Sequence, residues 1–111
     1  MGYLSAHVLD VTAGTPAASV DIELFAIDAQ GEARPLAVAQ TNADGRTDAP
    51  LLIDAALTPG EYELTFHVGD YFGEKAFLDR VPVRFRIADA TASYHVPLLC
   101  TPWAYSTYRG S

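Results

Sequence analysis

Apolar and polar positions alternate with a period of two along most of the chain. Successive side chains of an extended strand point to opposite faces, so this pattern marks strands with one packed side and one open side. Over residues 3–11, Leu4, Ala6 and Val8 share one face, and Ser5, His7 and Leu9 share the other. Val20, Ile22, Leu24 and Ala26 alternate with Asp21, Glu23 and Phe25 in a second strand. A third strand is expected over 36–41 and a short one over 51–53. Pro59-Gly60 opens the clearest alternation. There Tyr62, Leu64, Phe66 and Val68 form the packed face. Glu61, Glu63, Thr65 and His67 form a face expected to be solvated. Val81, Val83, Phe85 and Ile87 alternate with Arg84 and Arg86, and Tyr94, Val96 and Leu98 with His95, Pro97 and Leu99. A last short strand is expected over 105–108.

Turn chemistry punctuates these runs. Thr12-Ala13-Gly14-Thr15-Pro16, Asp28-Ala29-Gln30-Gly31 and Asn42-Ala43-Asp44-Gly45 are clusters that break strands, and Asp-Gly tolerates positive φ. Asp70 after Gly69 is a plausible N-cap for a helix over 71–77. Seven or eight short strands with one brief helix predict an all-β fold, an antiparallel β-sandwich, in one domain over residues 1–111.

Composition narrows the function. Half of the 111 residues are apolar and 11% are aromatic, which excludes a disordered chain. Seven basic against fourteen acidic residues give 7 − 14 = −7, the wrong sign for a nucleic-acid partner. No apolar stretch is long enough to span a membrane, so no membrane partner is expected. Cys100 is the sole cysteine, which rules out an intrachain disulfide. No basic segment followed by an apolar run opens the chain. A cytoplasmic location is therefore expected.

Candidate chemistry sits in a few polar residues. His67 shares its face with Glu61, Glu63 and Thr65, and is read as solvated and structural. His7 and His95 are flanked by apolar neighbours on strands that should be packed. No two histidines stand at the short spacing of a metal motif, so neither metal nor cofactor is expected. No Gly-x-Ser-x-Gly elbow is present. The chain closes on Tyr105-Ser106-Thr107-Tyr108-Arg109-Gly110-Ser111, with two phenols, three hydroxyls and a guanidinium but no acidic side chain. On composition alone this is a solvated tail. Taken with His7, Arg46 and His95, it supplies groups suited to hydrolysing an activated carbonyl in an anionic substrate through a histidine-activated water. An interaction domain without a small-molecule site is the bland alternative.

Four segments resemble the motifs of the 5-hydroxyisourate hydrolases, the transthyretin-related enzymes of urate breakdown. They are Leu4-Ser5-Ala6-His7-Val8-Leu9-Asp10, Thr41-Asn42-Ala43-Asp44-Gly45-Arg46-Thr47-Asp48, Tyr94-His95-Val96-Pro97-Leu98-Leu99 and the tail 105–111. The resemblance implies a transthyretin-like sandwich of two four-stranded sheets with one short helix. It implies a homotetramer, a dimer of dimers, with sites between the dimers. The implied reaction is ring-opening hydrolysis of 5-hydroxyisourate to a carboxylated ureidoimidazoline; a transthyretin-like carrier of a planar hydrophobic ligand is the alternative. His7, Arg46, His95, Tyr108 and Ser111 are the implied catalytic set. His7, Arg46, His95, Tyr108, Arg109 and Gly110 are implied to bind substrate. Two segments depart from the family pattern: Cys100-Thr101-Pro102-Trp103-Ala104 and Phe77-Leu78-Asp79-Arg80.

Overall fold

The computed structural model describes residues 2–111. The predicted domain begins at Met1, which lies outside the described residues. Nine strands form: β1 (Tyr3–Asp10), β2 (Thr15–Pro16), β3 (Asp21–Ile27), β4 (Ala33–Gln40), β5 (Leu52–Ile53), β6 (Gly60–His67), β7 (Arg80–Ile87), β8 (Tyr94–Cys100) and β9 (Tyr105–Thr107). One short helix, α1 (Val68–Phe72), follows β6 directly.

The strands make two sheets. One runs β4-β3-β6-β7; the other runs β2-β1-β8-β9, with β5 also paired to β1. The second sheet thus has five strands where four were expected, the addition being a two-residue strand on the start of β1. All but one of the pairings are antiparallel. The exception is β1 with β8, which run parallel over Leu4↔Tyr94 to Asp10↔Cys100. Periodicity shows that a strand has a packed face but says nothing of its partner's direction, so this pairing was invisible in the sequence.

The alternating apolar residues meet between the sheets. Leu4, Ala6 and Val8 of β1 and Val96 and Leu98 of β8 pack against Ile22, Leu24, Leu64, Phe66 and Val81 of the facing sheet. Each Val, Leu, Ile or Phe side chain among them contributes about 1.5–3 kcal/mol on burial.

Three expectations change. The helix starts three residues earlier than predicted and stops at Gly73, whose φ of 68° is the left-handed backbone that terminates helices. Asp70 lies in its first turn and accepts an ion-pair contact from Lys75 at 2.7 Å. β4 begins before the predicted Leu36, because Pro35 is tolerated on an edge strand and a register shift between Leu24 and Phe25 absorbs it. His67 is not solvated: its side chain is 14% exposed, and Nε2 pairs with Glu23 Oε1 at 2.8 Å across the β3–β6 pair. Two polar neighbours shield it, a feature that the polar alternation could not distinguish from a wet face.

The helix is tied to the other sheet by a buried carboxylate. Tyr71 donates its hydroxyl proton to Asp10 Oδ2 at 2.7 Å. Burial first, and Asp10 second, push the phenol up to about 12. This end of the sandwich is therefore sealed, and the open polar face lies elsewhere on β1 and β8.

Candidate active site

The outward face of β1 carries Tyr3, Ser5 and His7, none of them fully buried. The parallel register sets Ser5 directly beside His95 and His7 beside Pro97. The two imidazoles therefore stand on neighbouring strands of one sheet face, offset by one side-chain step. Their ring centroids are 6.2 Å apart, and the planes are tilted by 39°.

Arg46 arrives from a loop laid along β1 between its short pairings with β5 and β2. Asn42 builds that loop: its Oδ1 accepts from the amides of Asp44 at 2.9 Å and Arg46 at 3.3 Å. Such side-chain-to-backbone bonds are why Asn favours turns. Gly45 has φ of 76°, and a Cβ there would lie 2.4 Å from the Val8 carbonyl. Only glycine lets the loop come this close, and Val8 donates its amide to the Gly45 carbonyl at 2.8 Å. The result is an antiparallel bridge that places Arg46 opposite His7.

The tail closes the third side. β9 pairs with β8, and Thr107 donates from Oγ1 to the Pro97 carbonyl at 2.7 Å. The chain then crosses His95, where Gly110 donates its amide to the His95 carbonyl at 2.7 Å. An open hollow of about 330 Å³ results. Tyr3, Ser5, Arg46 and His95 line it from the sheet side, and Tyr108, Gly110 and Ser111 from the tail. No carboxylate side chain is among them, and Arg46 is the one charged side chain in the lining.

The structure thus brings His95, Arg46, Tyr108, Gly110 and Ser111 around one hollow, with His7 one ring away. Arg109 is separate. Its guanidinium lies over the Tyr94 ring, 4.2 Å from Cζ to centroid, and donates to the Ser93 carbonyl at 3.2 Å. It fastens the tail to the body rather than facing the hollow. Ser5 was passed over in the sequence, although it stands two residues before His7 and so on the same face. Cys100 is buried, and its thiol is pushed up to about 11 by burial and then by Asp10, which leaves it protonated and inert as a nucleophile.

Hydrogen bonding separates the two histidines. His7 Nε2 lies 2.9 Å from the Asp44 carbonyl oxygen. A carbonyl only accepts, so Nε2 carries a proton, and in the neutral ring Nδ1 keeps the lone pair of a base. His95 Nδ1 lies 2.8 Å from Ser5 Oγ. Burial, then the charges of Arg46 and His7, hold His95 below the ordinary imidazole value of 6.5. It is neutral at physiological pH. NMR titration should find His95 losing its proton below that value; a midpoint at or above it would contradict this placement. The sign for stability follows. The unfolded histidine takes up a proton as pH falls through about 6.5 while the folded one does not, so acidification favours unfolding.

Such a site combines a lone pair, a neutral donor and a fixed cation around a polar hollow. That set can position a water and stabilise an oxyanion. Residues 4–110 match the HIUase/Transthyretin family. The chain is 52% identical to the 5-hydroxyisourate hydrolase of Ralstonia nicotianae, with both proteins covered in full. It is 51% identical to the enzyme of that name from Deinococcus radiodurans, over 97% of this chain and 95% of the other. The structure of the Klebsiella pneumoniae 5-hydroxyisourate hydrolase superposes with a TM-score of 0.83 at 38% identity, covering both chains entirely. Sea bream transthyretin in complex with thyroxine superposes with a TM-score of 0.88 at 27% identity, over 96% of this chain and 93% of that one. A chain that shares both this sandwich and half its residues with such proteins belongs to the HIUase/Transthyretin family.

Proposed function

We propose that this protein hydrolyses 5-hydroxyisourate, opening its ring in urate degradation. The enzymes of that name at about half identity support the activity. The observation that carries the mechanism is His95 beneath the tail in the hollow that Arg46 also lines, with the His7 ring 6.2 Å from the His95 ring and opposite Arg46. His7 Nδ1 takes a proton from water as the water oxygen bonds to a ring carbonyl carbon. The carbonyl electrons move onto oxygen, where Arg46 and the His95 N–H stabilise the charge. The tetrahedral centre collapses, the ring C–N bond breaks, and the departing nitrogen takes the proton back from His7. The carbonyl carbon is then a carboxylic acid, which loses its remaining proton to solvent and leaves as a carboxylate. Tyr108 and Ser111 close the hollow around the substrate and supply hydroxyls to its polar edge.

The test is the decay of freshly generated 5-hydroxyisourate, followed by ultraviolet absorbance. Acceleration well above the spontaneous rate is expected. Saturable binding of thyroxine with no acceleration would instead make the chain a carrier.

We further infer that the working form is a cytoplasmic homotetramer, a dimer of dimers. Among the described residues β7 and β9 are edge strands whose outer backbone edges are unpaired, a ready template for a second copy. Between them a second hollow of about 220 Å³ is floored by apolar residues including Val83, Phe85 and Val96. Sedimentation equilibrium should give four chain masses; a single chain mass would refute this assembly. With a single cysteine the fold depends on no intrachain disulfide, which suits a reducing compartment such as the cytoplasm.

A further inference from the structure

We infer that Ser5 is a positioning residue: its hydroxyl donates to His95 Nδ1 and thereby fixes His95 as the donor partner of the basic His7. The inference rests on the hydrolase reading for its consequence, but not for its geometry. Three observations carry it.

The first is contact. Ser5 Oγ and His95 Nδ1 are 2.8 Å apart, between strands paired in register at that very step. The bond therefore depends on main-chain pairing and not on a flexible reach. Both residues line the hollow, so the bond lies at the site itself.

The second is proton accounting. A serine hydroxyl has one proton to give. Among the described residues Ser5 Oγ has no other hydrogen-bond partner. If Nδ1 carried the ring proton, the hydroxyl proton would have to find water in a half-buried position. Donation from Oγ to Nδ1 satisfies it inside the protein. The neutral ring then holds its own proton on Nε2, the nitrogen with no partner among the described residues.

The third is the complement. His7 is fixed the opposite way by the Asp44 carbonyl, with Nε2 protonated and Nδ1 bare. Two side chains of one type thus present unlike atoms: a lone pair from His7 and an N–H from His95. Hydrolysis needs one of each, a base for water and a donor for the developing oxyanion. Without Ser5, the His95 ring could adopt either tautomer and rotate, and part of the population would present a lone pair toward the substrate oxygen. That state repels the charge it should stabilise.

Removing the partner that orients a metal-bound histidine typically costs about 10–100-fold in affinity or activity, and Ser5 stands in the same relation to His95. Ser5→Ala should therefore lower kcat about 10-fold or more, with KM changed less. Ser5→Thr keeps the hydroxyl on a strand position that accepts β-branching, and should restore most of the loss. The deciding measurement is the ring 15N spectrum of His95 in the intact protein. The expected result is an Nδ1 shift of pyridine type and an Nε2 shift of pyrrole type in the wild type and in Ser5→Thr. Ser5→Ala should show averaged shifts, with two tautomers in exchange. A protonated Nδ1 in the wild type, or an unchanged His95 spectrum in Ser5→Ala, overturns the inference. The spectrum needs no substrate, so a wild-type protein that fails to hydrolyse 5-hydroxyisourate would overturn the functional reading while leaving the role of Ser5 decided on its own.

Discussion

His7→Ala should lower turnover of 5-hydroxyisourate about 10²–10⁴-fold, the usual contribution of a positioned base. The argument is atomic. His7 Nε2 is committed to the Asp44 carbonyl at 2.9 Å, so Nδ1 is the lone pair available for water. Alanine removes that lone pair and leaves Arg46 and His95 in place. It also leaves the fold in place. His7 is on the outward face of β1, and the core beneath it is made by Ala6 and Val8. A half-exposed substitution away from the core usually shifts stability by no more than about 0.5 kcal/mol. The expected pattern is a large loss in kcat with an unchanged melting midpoint. Turnover near that of the wild type would remove His7 from the mechanism.

The second large effect is expected from a single methyl group. Gly110 crosses His95 so closely that a Cβ would lie 2.6 Å from the ring Cδ2 and 3.3 Å from His95 Cβ. Contact at that distance cannot persist, so in Gly110→Ala either the imidazole turns or the tail lifts. Turning breaks the alignment of His95 Nδ1 with Ser5. Lifting breaks the amide bond from Gly110 to the His95 carbonyl and moves Tyr108 and Ser111 away from the hollow. Both displace groups that line the site. A misplacement of about 1 Å can cost about 10²-fold in rate. The tail contributes little to the core, so thermal stability should barely move. Full activity in Gly110→Ala, measured by the same absorbance decay, would show that the tail does not need its close approach to His95.

Much of the framework was legible because it rests on local rules. The alternations of β1, β6, β7 and β8 mark their packed faces, and the Asn42-to-Gly45 cluster marks the turn that carries Arg46. What the chain could not display is direction and register between distant strands. Nothing in residues 3–10 says that they lie parallel to residues 94–100, yet that arrangement puts Ser5 beside His95. The same limit hid the direction of Arg109. The family resemblance implied a substrate contact for it, while in this structure its guanidinium lies against the Tyr94 ring and the Ser93 carbonyl. His67 shows the reverse case, since Glu23 shields a residue whose same-face neighbours Glu61, Glu63 and Thr65 suggested water. Helix α1 stops short of the predicted Phe77 because Gly73 adopts the left-handed backbone that ends helices.

The parallel pairing of β1 and β8 also bears on how the protein folds. Ser5 and His95 are 90 positions apart, and the pairing that joins them is among the most non-local contacts in the chain. Closing so long a loop costs entropy before any contact repays it, and folds rich in distant pairings are the slow ones. The hairpin-like pairs β3–β4 and β6–β7 can form earlier, since each joins segments near in sequence. Hydrolytic activity therefore requires the last and longest contact to be made. In a refolding experiment, its return reports completion of the fold, arriving with the slowest phase and not with the appearance of sheet structure.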